Sequence, residues 1–477
     1  MGDIGKLQQQ VTIGTLPDDV LLNIFKFFVD VVCCYDGAPE EWRTLVHICR
    51  RWRNLTFASP RHLNLQLLCR PPYRSVKEML DIWPELPVYI KAFDHPKQKA
   101  RDDVVAALKL NHRVSGIHFL KTSDSAWETF APLMQQPFPA LTHLRVHPDL
   151  RIENAISRSF LGGSAPSLCV LVLSGIPFPA LPELLLSATN LIRLWYHNIP
   201  PSGYISPQGM ITGLSALSRL ESLTLTFRSP QDLLDVAIHV PPPHTRTLLP
   251  ALTHLRYQGV PEYMEDLVTQ VDAPLLESMD ITLFYREGLE VSQLAKFVRR
   301  ADKLSLVDRA DVTFHGDRIS VQLSQELPGI KTLVLDLTCY EQDLRLSYLA
   351  QFCASCLPTI SPFECLEIHV PYFPWTRDVI GNPDPQWLEL LRLFNTAKDL
   401  CLYKCVAPRV AQALKRLPVE QVTEVLPALE NVFISGLERF GPVKGAISEF
   451  ADARRLSGRP VSIYYRDRRG MFTKVKK

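Results

Sequence analysis

The stretch PALTHLRV at residues 139–146 returns as PALTHLRY at residues 250–257. In both copies an anchor leucine is followed by apolar residues three and five positions later, with polar residues between them. That alternation is typical of a β-strand with one buried face. A stretch that recurs in this way indicates a repeat architecture, in which each unit buries its apolar face against its neighbours.

The anchor pattern recurs after residue 110 at a mean spacing of about 29 residues. Helix-capable segments lie between the anchors, so the sequence predicts a strand followed by a helix, repeated, with a parallel sheet. This period and the L-x-x-L-x-L core are close to those of the longer leucine-rich repeats. The anchors are Val114, Leu141, Leu168, Leu191, Leu220, Leu252, Leu276, Ala301, Ile330, Phe363, Ala397 and Leu429.

The segments between the anchors are assigned to helices and loops. Loops are predicted at residues 201–213 and 241–247, a last helix at 450–455 and a capping strand at 460–465. The asparagine that usually ends each leucine-rich-repeat strand is largely absent, which predicts irregular curvature and register. The predicted helices are residues 181–188, 232–238, 263–271, 291–300, 344–356, 386–394 and 410–417.

A helical N-terminal block, residues 14–63, precedes the repeats. Residues 15–18 (TLPD) have the composition of a helix start, and apolar residues at helical spacing predict one helix after them and a second over residues 42–52. Arg50, Arg51 and Arg53 are interpreted as the solvated face of the second helix. Because the block is small and rich in large apolar residues, we expect it to complete its core by docking on another protein.

The stretches LPDDVLLNIF (16–25), LVHICRRWR (45–53) and ASP (58–60) resemble the F-box, over roughly a tenth of the chain. The connector between the two helices is longer than usual in that family. The family's three-helix motif binds the Skp-type adaptor of a cullin-RING ubiquitin ligase, and the remaining chain selects the substrate. The resemblance implies adaptor contacts at Leu16, Pro17, Val20, Leu21, Ile24, Phe25, Leu45, Val46, Cys49 and Trp52. The alternative is that some of these residues, about half of them, form the motif's own small core.

The domain organisation follows from these two patterns. The fold class is α/β: a small all-helical F-box followed by a curved leucine-rich-repeat-like solenoid with a parallel sheet. The bridge between them is expected to contain helices near residues 76–83 and 104–110 and a strand at 87–90, and residues 79–84 are similar to segments of large fungal F-box families. The predicted parts are a flexible N-terminus (1–13), the F-box (14–63), the bridge (64–110), the solenoid (111–465) and a basic tail (466–477).

Composition limits the possible partners and compartments. The 477 residues carry a net charge of +2, so no bulk field attracts nucleic acid or an anionic membrane. Eleven cysteines without framework spacing favour reduced thiols. No secretory signal opens the chain, and no apolar stretch reaches the roughly 20 residues of a membrane span. We expect a cytoplasmic or nuclear protein, in which the basic tail is either a nuclear import signal or a solvated end.

Catalytic and metal-binding motifs are not recognised in the sequence. Residues 436–441 have the glycine spacing of a P-loop, but Pro442 stands where lysine is required. Cys353 and Cys356 lack a second pair at zinc-ribbon spacing, and Cys401 and Cys405 are expected to be buried thiols. We expect a non-catalytic chain with no cofactor and no metal.

The strand pattern also predicts which residues face the concave side of the solenoid. In the N-terminal half these are mostly basic or aromatic, namely His143, Arg145, His147, Arg193, Trp195, His197, His254, Arg256 and Gln258. In the C-terminal half they are Asp280, Asp336, Glu367, Asp399 and Tyr403, with Lys303 as the exception. The first half is either a surface for an acidic or phosphorylated segment or a solvated face of mixed charge. The candidate substrate-binding residues are His143, Arg145, Arg193, Trp195, His254 and Arg256.

Three functions are compatible with the sequence. The first is the substrate-recognition subunit of a Skp-cullin-F-box ubiquitin ligase, with the Skp-type adaptor, a cullin and an unknown protein substrate as partners. The second is a ligase-independent F-box and leucine-rich-repeat scaffold. The third is an enzyme with an unrecognised site, which the motif search disfavours.

Overall fold

The structure is a computed structural model. It describes residues 13–33, 42–60, 62–63, 65–70, 85–93, 98–149, 152–228, 246–284, 291–305, 307–315, 318–324, 331–338, 345–356, 363–370, 384–403, 405–435, 442–466 and 472–474. The chain divides into two compact units, Met1–Gly175 and Ile176–Lys477. The predictions for residues 1–12, 76–83, 232–238, 241–245 and 436–441, and for most of the tail, lie outside the described residues.

The first unit combines short helices with a parallel sheet. Its strands are β1 (Leu67–Cys69), β2 (Val88–Phe93), β3 (Val114–Thr122), β4 (His143–Pro148) and β5 (Val170–Ser174), which pair in that order. Its α-helices are α1 (Asp18–Cys33), α2 (Arg43–Ile48), α3 (Arg50–Ala58), α4 (Gln98–Leu108) and α5 (Asp124–Phe130), with 3-10 helices at Ile13–Thr15, Leu133–Gln135 and Phe160–Gly163.

The predicted second helix of the N-terminal block is two helices. Cys49 has an extended backbone, with φ −155° and ψ 169°, so α2 ends before it and α3 begins after it. The Cys49 sulfur accepts a hydrogen bond from the backbone N–H of Trp52 at 3.5 Å and so caps α3. Periodicity could not reveal this break, because the apolar spacing continues across it.

The core of the N-terminal block is completed by the chain itself, contrary to the expectation from its size. Leu21, Phe25 and Val29 lie one helical turn apart on α1 and are buried with Trp42, Leu45 and Val46. The Trp42 indole N–H donates to the Gln66 carbonyl at 2.8 Å and fixes the block to the next part of the chain. The buried residues that close this core come from beyond the helices, at Leu63, Leu65, Leu67 and Leu86.

The predicted bridge, residues 64–110, is part of the sheet. β1 and β2 both lie in it, and β2 pairs with β3, the first strand of the predicted solenoid. The strand predicted at 87–90 is thus β2, and it belongs to the same sheet as β3. β1 has no anchor pattern of its own, so the sequence did not predict that the sheet begins at this strand.

The second unit has a larger and mostly parallel sheet. The described strands pair in the order β6, β7, β9, β11, β14, β13, β12, β15, β16, β17, β18, β19. Their bounds are β6 (Arg193–Ile199), β7 (Ser222–Phe227), β9 (His254–Gly259), β11 (Ser278–Phe284), β12 (Arg309–Phe314), β13 (Arg318–Ser324), β14 (Lys331–Thr338), β15 (Cys365–His369), β16 (Asp399–Tyr403), β17 (Asn431–Ser435), β18 (Ser462–Arg466) and β19 (Phe472–Lys474).

A layer of helices accompanies this sheet, and successive α-helices pack on each other. A separate two-stranded sheet joins β8 (Thr247–Leu248) to β10 (Val271–Asp272). The α-helices are α6 (Leu181–Leu185), α7 (Pro207–Leu214), α8 (Pro261–Gln270), α9 (Ser292–Arg300), α10 (Arg345–Cys356), α11 (Asp384–Leu393), α12 (Ala407–Lys415) and α13 (Pro442–Leu456), with 3-10 helices at Pro201–Gly203, Asp302–Ser305 and Val419–Gln421.

The anchor pattern places most strands correctly. A strand begins two residues after each of the anchors Leu141, Leu168, Leu191, Leu220, Leu252, Leu276, Phe363, Ala397 and Leu429. The parallel sheet is confirmed, with the exception of β13, which runs antiparallel between β12 and β14, and of β19.

Three local predictions were wrong. The anchor Ala301 precedes the 3-10 helix Asp302–Ser305, so no strand starts there. The predicted loop at 201–213 holds a 3-10 helix and most of α7, which is capped by the Ser206 hydroxyl accepting from the Gly209 N–H at 3.1 Å. The predicted capping strand is not the last one, because β19 of the basic tail pairs with β18.

The repeated stretch forms the same local structure in both units. The Thr142 hydroxyl donates to the Ser115 carbonyl at 2.9 Å, and the Thr253 hydroxyl donates to the Glu221 carbonyl at 3.1 Å. Each threonine oxygen also lies within 3 Å of Nδ1 of the next residue, His143 or His254. Each threonine hydroxyl has one hydrogen, which it donates to the carbonyl. The hydrogen bond between the hydroxyl oxygen and Nδ1 therefore uses a hydrogen on Nδ1, so both histidines are protonated at that nitrogen.

Candidate functional site

The predicted site residues lie on two surfaces. The first is the N-terminal block. The second is the face of the sheet that is formed by every second residue of its strands, where many side chains are half-exposed. We call the second the open face. The side chains that alternate with it, such as Leu144 and Val146 on β4, are fully buried.

Four of the ten predicted adaptor contacts lie inside the N-terminal block. Leu21, Phe25, Leu45 and Val46 are at most 4% exposed and belong to its core. For these four residues the alternative holds, in which they form the block's own small core. Helical spacing identified them as apolar but could not distinguish the two stripes that share α1.

The second apolar stripe of α1 is exposed. Val20, Ile24 and Phe27 are 37%, 40% and 72% exposed, and Ile48 at the end of α2 is 54% exposed. Phe27 and Ile48 were not among the predicted contacts. A second apolar stripe beside a buried one is unusual for a surface helix, whose other face is normally polar, so this stripe is the candidate docking surface of the N-terminal block.

Arg51 holds the opening of the N-terminal block. It pairs with Asp18 at 2.6 Å and donates to the carbonyls of Gly14 and Leu16, each at 2.6 Å. Arg51 is exposed, as its interpretation as part of a solvated face requires, and it makes these contacts at the surface. Leu16 and Trp52 are half-buried against the core, whereas Pro17 and Cys49 are exposed, so the predicted contacts at this end are at or near the surface.

The open face of the first unit has a row of basic residues in register. Lys91 on β2 pairs with His118 on β3, which pairs with Arg145 on β4. His143 lies one row away, opposite Gly116, where the ring of Tyr89 covers the backbone so closely that a Cβ atom would meet it at 2.2 Å. Lys91 was not predicted because β2 was assigned to the bridge. His118 lies four residues after the anchor Val114, as Arg145 does after Leu141, but it was not included among the predicted residues.

His147 on β4 lies beside this row. The rings of His118 and His147 meet edge to face at 5.9 Å. Burial, and secondly the charge of Arg145, lowers the pKa of His147 below the ordinary histidine value. None of the residues in β1 to β5 is aspartate or glutamate.

In the second unit, the predicted basic residues lie on β6 and β9, on either side of β7. Arg193 and His254 both pair with Ser222, and Trp195 and Arg256 both pair with Thr224. The Trp195 indole N–H donates to the Ser222 hydroxyl at 3.0 Å. Arg256 forms an ion pair with Asp280 of β11 at 3.3 Å, so its charge is already matched within the unit.

The acidic part of this open face is matched in the same way. Arg309 pairs with Asp311 at 3.2 Å and also with Glu367, and Arg318 pairs with Asp336 at 3.1 Å. Asp336 and Glu367 are buried, whereas the predicted concave position of Lys303 is wrong because this residue lies in a 3-10 helix and pairs with Glu277. The predicted acidic side therefore holds a network of ion pairs.

The predicted cysteines of the second unit differ in their exposure. Cys353 is buried, whereas Cys401 is half-buried and Cys405 is exposed, contrary to the prediction for these two. Cys365 and Cys401 lie on neighbouring strands, and a hydrogen bond between the two thiols lowers the pKa of Cys365.

Within the described ranges, no three His, Cys, Asp or Glu side chains form a metal site. No helix in the described part of the chain is long and apolar enough to cross a membrane.

Comparison with known proteins finds a structural likeness at low sequence identity. No protein-family model matches the chain, and no curated protein matches it. The chain is similar to the crystal structure of the leucine-rich repeat-containing protein LegL7 from Legionella pneumophila, at 12% identity. The match covers 81% of this chain and 97% of that chain with a TM-score of 0.25, too low to carry an argument about fold or function.

Proposed function

We propose that the chain is a protein-interaction subunit that docks on a Skp-type adaptor through its N-terminal block and holds a protein target on the open face of its repeats. In this role it is the substrate-recognition subunit of a cullin-RING ubiquitin ligase. It contributes proximity and orientation to the transfer of ubiquitin, and no bond chemistry of its own.

The observation that carries the proposal is the exposed stripe Val20, Ile24 and Phe27 on α1. Helical spacing keeps these three side chains on one side of the helix, next to the stripe that the core of the N-terminal block buries. Full burial of a large apolar side chain contributes about 1.5 to 3 kcal/mol before ordering costs. Phe27, which is 72% exposed, should contribute most of that range, and Val20 and Ile24, at 37% and 40%, less than half of it. A few such residues at the centre of an interface are sufficient for stable docking.

The resemblance of residues 16–25 and 45–53 to the F-box supplies the identity of the partner. The structure supports a refined contact set, in which Leu16, Pro17, Val20 and Ile24 remain from the prediction and Phe27 and Ile48 are added. Arg51 supports this set indirectly, because it holds the backbone of Gly14 and Leu16 in place.

Co-purification of the full chain with a Skp-type adaptor tests the docking. Ile24→Glu with Phe27→Glu, and separately Leu16→Ala with Pro17→Ala, should abolish capture of the adaptor. Asn23→Ala, an exposed change on the same helix, should leave capture intact. All variants should keep the circular dichroism of the wild type, because none of these residues lies in the buried core. Capture that survives both double changes would contradict the docking.

A ligase-independent scaffold would use the same surfaces and would differ only in whether a cullin joins the docked complex. Reconstitution with the adaptor and a cullin distinguishes the two roles. The ligase proposal expects the cullin to enter the complex in equal amount, and a complex that forms with the adaptor but excludes the cullin would favour the scaffold.

A further inference from the structure

We propose that Cys365 and Cys401, on the open face of the second unit, bind a copper(I) ion between their two sulfurs. Two thiolates hold the ion, with no further side chain as a ligand. The sequence motifs predicted no metal, so the site is a new assignment, and it does not depend on docking to an adaptor.

Both thiols lie on the open face, on neighbouring parallel strands. Cys365 on β15 pairs with Asp399, and Cys401 lies two residues further along β16, so the two cysteines are diagonal neighbours on one face. The residues that follow Cys365 and precede Cys401, Leu366 and Leu400, are fully buried on the other side of the sheet. Both cysteines are half-buried, so an ion in solution can reach both sulfurs.

The diagonal spacing suits a bridging ion better than a disulfide. Neighbouring strands lie about 4.8 Å apart and two residues of a strand span about 6.6 Å, so the Cα atoms of diagonal neighbours are about 8 Å apart. A disulfide requires less than about 7 Å. An ion between the sulfurs, with metal–thiolate bonds of about 2.3 Å, lengthens the bridge and spans the wider gap. The two thiols are joined by a hydrogen bond, so their sulfurs already point at each other.

A pair of thiolates selects the kind of ion. Zinc takes three or four protein ligands, and in the part of the chain that the structure describes no three His, Cys, Asp or Glu side chains come together. Magnesium and calcium require several oxygen ligands, whereas soft thiolates favour copper(I). Because copper(I) is stable with two thiolates in a linear arrangement, the pair is a complete site for this ion and an incomplete one for zinc.

The neighbouring side chains fit a bound ion of this kind. Binding releases the two thiol protons to solvent and leaves two thiolates and one copper(I) ion, a unit with a single negative charge. Arg309 and Asp399 flank Cys365 in the register of the sheet, and both interact electrostatically with its thiol. The guanidinium offsets the charge of the bound unit, and the carboxylate attracts the cation. Phe433 pairs with Cys401 and gives it an apolar neighbour, which restricts the access of water.

Titration of the full-length chain with copper(I) tests the inference. The chain is fully reduced and kept free of oxygen, and bathocuproine disulfonate competes for the ion and reports it by its colour. We expect Cys365→Ser with Cys401→Ser to bind one copper(I) ion fewer per chain than the wild type. Each single variant should lose the same ion, because one thiolate alone does not hold it. X-ray absorption at the copper edge should assign two sulfur ligands to the ion that distinguishes the wild type from the double variant.

The matched control is Cys169→Ser with Cys405→Ser, which removes a half-buried and an exposed cysteine from different units. It should bind as much copper(I) as the wild type. All variants should keep the wild-type circular dichroism, because serine is close to cysteine in size. Equal copper(I) binding by the wild type and the variant that lacks both Cys365 and Cys401, or an equal loss in the control, would overturn the inference. Zinc binding that this variant loses while its copper(I) binding is unchanged would also overturn it.

Discussion

Arg145 and Arg256 occupy the same position in two copies of one sequence stretch, yet their surroundings differ. Arg256 is paired with Asp280 on the neighbouring strand, whereas Arg145 is in register with His118 and, through it, with Lys91. The octapeptide determines the strand, the buried leucines and the threonine hydrogen bond in both places. The adjacent strand determines whether the arginine belongs to an ion pair or to a basic row.

This difference extends across the two units. The second unit uses carboxylates on β11, β12, β14 and β15 to match Arg256, Arg309 and Arg318, and some of these carboxylates are buried. The described strands of the first unit contain no such group. The ion pairs of the second unit are therefore made between neighbouring strands of its own sheet.

The largest expected effect is on the matched side. Glu367→Ala should lower the free energy of unfolding by about 1 to 3 kcal/mol, because it leaves Arg309 with one of its two carboxylates and removes a buried partner. Urea denaturation measures the change. Glu364→Ala breaks the exposed pair with Lys398 and should cost less than about 1 kcal/mol. Equal costs for the two changes would mean that the buried network does not hold the second unit together.

A second carboxylate of the second unit should show a smaller effect. Glu265 on α8 accepts from the backbone N–H groups of Gln293 and Leu294 at 2.8 and 2.7 Å, and so caps α9 of the next repeat. Glu265→Ala should cost about 1 kcal/mol, as the loss of a helix cap does. The same denaturation series measures it, with the exposed residue change Glu424→Ala as control. If Glu265→Ala lowers the free energy of unfolding no more than the control does, the cap that Glu265 forms does not stabilise the contact between repeats.

The smallest expected effect is a shift in titration on the basic side. Burial and Arg145 lower the pKa of His147, so the folded state takes up its proton at lower pH than the unfolded state. Its contribution to stability is present above the ordinary histidine pKa of about 6.5 and is lost as the pH falls below that value. Arg145→Gln should raise the pKa of His147, as followed by NMR titration. A pKa that stays the same would show that burial alone causes the shift.

The sequence predicted the strands better than the boundaries. The anchor leucines located strand starts because the buried positions of a strand alternate regularly, and Leu144 and Val146 are buried as that rule requires. The start of the sheet at β1 was missed, because three buried residues are too few to show alternation. The antiparallel β13 was missed because pairing direction depends on connections rather than on composition.

The candidate site was predictable only in part, for a similar reason. Periodicity identified both stripes of α1 but could not assign one to the core and the other to the surface, since that depends on Leu63 and Leu86 far along the chain. The basic residues of the open face were predicted one strand at a time. Only the register between strands reveals that Arg145 faces His118 while Arg256 faces Asp280.

Capture of a Skp-type adaptor by the full chain tests the central claim most directly. The wild type and Asn23→Ala should capture the adaptor, whereas Ile24→Glu with Phe27→Glu should not, because the double change places two charges on the exposed stripe of α1. Capture by the double variant that equals that of the wild type would contradict docking through this stripe.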